Sequence, residues 1–152
     1  RAYAFKYFSK ANWKNGVLSE ISVIVNDDGE PFSLKGRKEA GEFLIESPKK
    51  KFKTPLPLFP TNHWNTNVVN ERVVLNTLTG ELNRVEIISR GVETLKSRHG
   101  EIKGQRYSYT GDLDTEVWYD QKGRWVGMEF KGKDGSIITY VCQQCFSSKD
   151  RN

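Results

Sequence analysis

The stretch Gly16–Glu30, "GVLSEISVIVNDDGE", decides the fold class. Val17, Ile21, Val23 and Val25 keep to alternate positions, with Ser19 among them, while Glu20 and Ser22 fall between. A period of two puts one set of side chains on each side of an extended chain, so this segment predicts a half-buried strand. The "NDDGE" that follows is turn chemistry. Asn and Asp tolerate left-handed geometry, and Gly29 adopts it without steric cost.

The same alternation extends outward in both directions. In "RAYAFKYF" the rings of Tyr3, Phe5 and Tyr7 share a face, and "PFSLKG" and "GEFLIES" read as return strands. The intervening "RKEAG" is compatible with a short helical turn. Four of the five prolines (Pro48, Pro55, Pro57 and Pro60) lie between Ser47 and Asn70. Proline removes a ladder donor, so "KKKFKTPLPLFPTNHWN" is expected to be a long crossing loop, in part polyproline II. "RVVLNTLTGELNRVEII" reads as strand, Thr-Gly turn, strand. A helix over "NERVVLNTL" is the alternative, disfavoured by the β-branched Val73 and Val74.

Further on, Gly91, Gly100 and Gly104 punctuate the chain, and Tyr107 and Tyr109 share a face. "EVWYD", "RWVGMEF" and "SIITYVC" form a meander with turns at "DQKG" and "KDGS". In its middle strand Val126, Met128 and Phe130 are expected on one side, with Trp125, Gly127 and Glu129 on the other. The tally is about ten strands with little helix, an all-β or nearly all-β fold. One domain over residues 1–146 is expected, with a polar tail at 147–152.

Composition narrows the function classes. With 36% hydrophobic and 28% charged residues, the chain is a soluble globular type, and no apolar run nears a membrane span. No signal peptide is visible after Arg1, and the missing initiator Met suggests a processed or excised chain. The net charge of +5 is dispersed except at "KKKFK", Lys49–Lys53, a candidate anion-binding run. No RNP-like motif, zinc-finger spacing or Gly-rich clamp supports nucleic-acid binding.

Cys142 and Cys145 form a Cys-x-x-Cys at the end of a strand, without the βαβ unit a redox motif needs. Metal binding would need two more ligands, and His63 and His99 lie far away in sequence. The pair is therefore read as structural, or as a disulfide if the tail turns back. Asp112, Asp114 and Glu116 are read as a solvated strand face rather than a cation site. His63 in "TNHWN" is read as a loop-stabilising residue, because no nucleophile elbow accompanies it. The aromatics Trp64, Trp118, Trp125 and Tyr140 are the binding candidates, since the terminal meander carries large apolar groups on both faces.

The segments "FPTNHWN", "LNTLTGELNRVEI" and "WYDQKGRWVGMEFKGKDGSIITYV" resemble a family of uncharacterised, exported bacterial proteins. The resemblance runs from about Tyr3 to Val141 and rests on turn and packing residues. It implies export to the periplasm, a curved antiparallel sheet and no assigned activity. More remotely the architecture is similar to open half-barrels that carry lipoproteins or lipids; the fold expected is an open half-barrel or is β-sandwich-like. Family members usually have a further strand pair before Tyr3.

The expectation is a non-enzymatic periplasmic domain without cofactor or metal. It binds an apolar, lipid-like or amphipathic ligand, or a protein partner, on a concave sheet face through Trp64, Trp118, Trp125 and Tyr140. Self-association through an exposed sheet edge is a further expectation. The alternatives are a hydrolase using His63, a structural envelope module, and an anion-binding module at Lys49–Lys53.

Overall fold

The computed structural model describes residues 4–61, 66–132 and 134–141. These form eleven strands and one 3-10 helix at Thr66–Asn70, with no α-helix. The strands are β1 (Phe5–Lys14), β2 (Val17–Asp27), β3 (Glu30–Glu39), β4 (Glu42–Glu46), β5 (Lys51–Pro55), β6 (Val73–Asn76), β7 (Glu81–Ser97), β8 (Gly100–Gly111), β9 (Thr115–Tyr119), β10 (Trp125–Lys131) and β11 (Ile137–Val141). One sheet has the order β1-β2-β3-β4-β5 and the other β11-β10-β9-β8-β7-β6. Every neighbour in each sheet is a neighbour in the chain. The fold is thus nearly all-β, with a strongly curled antiparallel half-barrel sheet and a second sheet.

Two compact units result: Arg1–Asn62 with Val73–Asn83, and His63–Arg72 with Arg84–Asn152. The core of the first gathers Leu18, Ile21, Val23 and Val25 of β2 with Leu34, Phe43, Ile45, Leu58 and Leu75. The alternation predicted for β2 holds from Ile21 onward but not before it. Asn12 faces Glu20 and Trp13 faces Leu18, which leaves Ser19 as the extra residue of a β-bulge. The bulge reverses the parity, so Leu18 enters the core in place of Val17.

Two further expectations are corrected. "RKEAG" makes no helical turn; Glu39 pairs with Glu42 across a two-residue hairpin at Ala40–Gly41, both at positive φ. The Pro-rich segment is not loop throughout, because β5 runs inside it. Lys51 and Lys53 alternate outward against Phe52 and Thr54 inward, and Pro55 ends the sheet's last strand, where its missing donor costs nothing.

The two motifs "FPT" and "LNTLTG" meet in this unit. The Thr61 amide donates to the Leu75 carbonyl and the Leu75 amide to Phe59, 2.9 Å each, in a bridge that never uses the nitrogen of Pro60. The Thr61 hydroxyl accepts from the Thr77 amide at 3.0 Å. The Thr77 hydroxyl in turn meets those of Thr61 (3.1 Å) and Tyr7 (2.7 Å). Burial pushes the Tyr7 phenol above its ordinary pKa, an effect the Thr77 bond offsets in part.

Candidate functional site

In the second unit the strand register lays side chains out in rows, because residues opposite one another in an antiparallel pair share a face. Tyr140, Met128, Val117 and Tyr107 form one row. Ile138, Phe130, Thr115 and Tyr109 form the next, and Trp125 stands opposite Tyr119 in a third. The centre of this aromatic face is closed: Tyr109, Val117 and Tyr119 are buried, with the Tyr107 ring edge-on to Tyr119 at 6.1 Å. Burial raises the pKa of both buried phenols, and the neighbouring Tyr109 and Tyr107 add to it at Tyr119. Its margin on β10 and β11 is open by comparison. Trp125, Met128, Phe130, Ile138 and Tyr140 are all half-buried.

Trp118 belongs to the opposite face. It stands beside Gly127 and Arg106, and it is 6% exposed. The parity predicted for β10 fails at its start for the same reason as in β2. Trp125 faces Tyr119 and Gly127 faces Trp118, so Val126 is the extra residue of a bulge and packs with Trp118 and Ile102. Met128 and Phe130 lie on the other side, with Trp125.

A second bulge shapes this inner face. Ser89 pairs with Tyr107 and Gly91 with Arg106, leaving Arg90 over, and Gly91 takes φ +98, a value that favours glycine. Beyond it Leu95 comes to lie over β10. A Cβ on Gly127 would stand 3.1 Å from Leu95 Cδ1, 3.0 Å from the Tyr140 carbonyl oxygen and 3.6 Å from Trp118 Cε3. In a flat sheet β7 and β10 would be about 14 Å apart, three strand spacings. The contact therefore measures a tight curl, whose hollow is filled by Trp118, Ile102, Val126, Leu95 and Val141.

Next to this plug lies a charged network. Arg106 donates from Nε to Glu116 Oε1 at 2.7 Å and from Nη1 to Glu93 Oε2 at 3.0 Å. Trp118 Nε1 donates to the other Glu93 oxygen at 3.1 Å. Ser108 Oγ donates to Glu116 Oε1 at 2.5 Å and accepts from Arg90 Nε at 3.0 Å. Bonds from Arg106 and then Trp118 hold the Glu93 carboxyl below the usual range, while Glu116 and then Glu93 raise the Arg106 guanidinium. Ser108 and Glu116 have the shape of a nucleophile beside a base. Arg106 Nε occupies the same carboxylate oxygen and Nη1 reaches across to Glu93, so the group works as a clamp joining β7, β8 and β9.

The sequence candidates thus separate. Trp125 and Tyr140 share the aromatic face, Trp118 plugs the opposite one, and Trp64, His63, Cys142 and Cys145 lie outside the described residues. In the basic run, Lys51 pairs with Glu46 at 3.7 Å and Lys53 with Glu39 at 3.4 Å. Asp112 accepts from the Arg84 amide at 2.9 Å. Among the described residues no three His, Cys, Asp or Glu side chains gather as metal ligands, and no helix is long and apolar enough to cross a membrane. The clamp was missed by sequence reasoning. Its signal was three charges, Glu93, Arg106 and Glu116, carried by strand-like runs, and their meeting is legible only with the register.

Residues 1–143 match a domain family of unknown function (DUF6134), and the chain belongs to that family. No curated protein and no solved structure matches it.

Proposed function

We propose that the protein is a non-enzymatic binding domain that takes an apolar or amphipathic ligand against the aromatic margin of β10 and β11. One observation carries this reading. Trp125, Met128, Phe130, Ile138 and Tyr140 share one face and remain half-buried, where the adjoining Tyr109, Val117 and Tyr119 are closed off. Large apolar side chains left partly wet in one contiguous group favour a ligand or partner that completes their burial. Tyr140 adds a polar handle at the edge of an apolar surface, which suits an amphipathic molecule. Export to the periplasm, implied by the family resemblance, goes with this reading.

The test is titration with the apolar fluorophore 1-anilinonaphthalene-8-sulfonate. Hot-spot aromatics contribute about 1–2 kcal/mol each, so Trp125→Ala with Tyr140→Ala should weaken binding by roughly a hundredfold. The sheet's circular dichroism should stay as in the parent. Unchanged fluorophore affinity in the folded double variant would sink the proposal.

A further inference from the structure

The first unit carries a second surface, unrelated to the aromatic margin. β1 alternates perfectly, with Phe5, Tyr7, Ser9, Ala11 and Trp13 half-buried and Lys6, Phe8, Lys10, Asn12 and Lys14 outward. Phe8 breaks the polar character of that outer row. Directly across from it, on the outer side of β2, stands Ile24. The two are 64% and 60% exposed, an apolar cross-strand pair on the solvent side of the sheet.

Their surroundings are basic. Lys6 and Lys10 flank Phe8 two residues to each side, about 7 Å along the strand. Lys35 lies opposite Ser22, one outward position from Ile24, and Asn26 and Ser33 complete the rim. The acids nearby have other partners. Glu20, further along the same row of β2, accepts from Asn12 and stands opposite Arg37. Glu46, across from Lys35, pairs with Arg37 and Lys51, and Glu39 pairs with Arg37 and Lys53. Among the described residues no ion pair involves Lys6, Lys10 or Lys35. The result is two protruding apolar side chains with three ammonium groups beside them, none of which is in an ion pair among the described residues.

We infer that the outer face of β1–β3 docks on an anionic lipid surface, with Phe8 and Ile24 entering the headgroup–acyl boundary and Lys6, Lys10 and Lys35 on the phosphates. Charge complementarity selects the occupant. Lysines supply point charges without base-reading geometry, and an aliphatic Ile24 gains nothing from stacking on a base, which separates this face from a nucleic-acid platform. A bilayer accepts both the apolar pair and the charges at once, and it needs no groove.

The experiment is co-sedimentation of the whole protein with phosphatidylglycerol vesicles and with phosphatidylcholine vesicles. Binding is expected to phosphatidylglycerol, to fall with salt, and to be weak on phosphatidylcholine. Each lysine near such a surface contributes about fivefold, so Lys6→Gln, Lys10→Gln and Lys35→Gln together should lower the partition coefficient about a hundredfold. Phe8→Ser with Ile24→Ser should also lower it, and leave the salt dependence in place. These side chains are exposed, so both variants should keep the parent's circular dichroism and urea midpoint. The inference is overturned by no phosphatidylglycerol binding, or by binding that neither variant changes. Capture of polyglutamate or of single-stranded oligonucleotide with vesicles ignored would also overturn it, and give the face to a macromolecular partner.

Discussion

Trp118→Ala separates the plug from the aromatic margin. The indole is 6% exposed and lies over Gly104 and Gly127, where a Cβ would come within 3.4 Å and 3.6 Å of it. Removing it opens a cavity among Leu95, Ile102 and Val126, and Trp→Ala in such a setting costs about 3–5 kcal/mol. The lost bond to Glu93 adds little, because that carboxylate is 40% exposed and water replaces the indole. Against a total stability of about 5–15 kcal/mol, the loss is large. Trp118→Phe keeps most of the ring over the glycines and should cost about 1–2 kcal/mol. Trp125→Ala, at a half-buried site, should cost less than Trp118→Ala.

The assay is urea unfolding followed by far-ultraviolet circular dichroism, which does not depend on the tryptophan removed. A Trp118→Ala loss under about 1 kcal/mol with an unchanged m-value would refute the packing argument. So would Trp125→Ala proving the costlier change, or Trp118→Ala abolishing fluorophore binding at full stability.

Other perturbations have equally definite outcomes. Asp120 is 11% exposed and accepts from the amides of Lys122 and Arg124 and from Arg124 Nε. Burial works to raise its pKa, but bonds from the Arg124 backbone and side chain, and from Lys122, outweigh it and the carboxyl lies below its ordinary value. Its contribution is therefore present above the unfolded-state pKa and lost as pH falls through the folded one. Asp120→Asn should cost about 1–2 kcal/mol at pH 7, and the two urea midpoints should converge as pH falls below the ordinary carboxylate range. Gly36→Ala would put a Cβ onto the Phe43 ring and 3.0 Å from Ile21 Cγ2, so it should lower stability by about 1–3 kcal/mol in the same assay. Ala40 pays the left-handed penalty at φ 52, and Ala40→Asn, restoring an Asn-Gly hairpin, should raise the melting temperature through about 0.5–1 kcal/mol.

Much of the fold was legible because hairpins enforce local pairing. Asp28–Gly29 turns β2 into β3 with both residues at positive φ, as the Asp-Gly pair suggested, and the turns after Tyr119 and Lys131 fall where Gly123 and Asp134–Gly135 place them. What was hidden was parity across bulges. An extra Ser19 exchanges Val17 for Leu18, and an extra Val126 sends Trp125 away from Trp118. Alternation counted along one strand cannot register an insertion that only the partner strand reveals. The second misassignment bears on the site, since the pairing of Trp118 with Trp125 on one surface depended on unbroken alternation in β10. The off-parity Phe8 and Ile24 were visible in "FKYF" and "SVIV", and become a surface only when the register sets them side by side.

The binding proposal meets its most direct test in native mass spectrometry of the protein purified from bacteria, before and after organic extraction. A near-stoichiometric apolar or amphipathic adduct that extraction removes is expected, together with its loss from the folded variant carrying Trp125→Ala and Tyr140→Ala. A bare polypeptide mass from native cells, with added fatty acid also leaving no adduct, would contradict it.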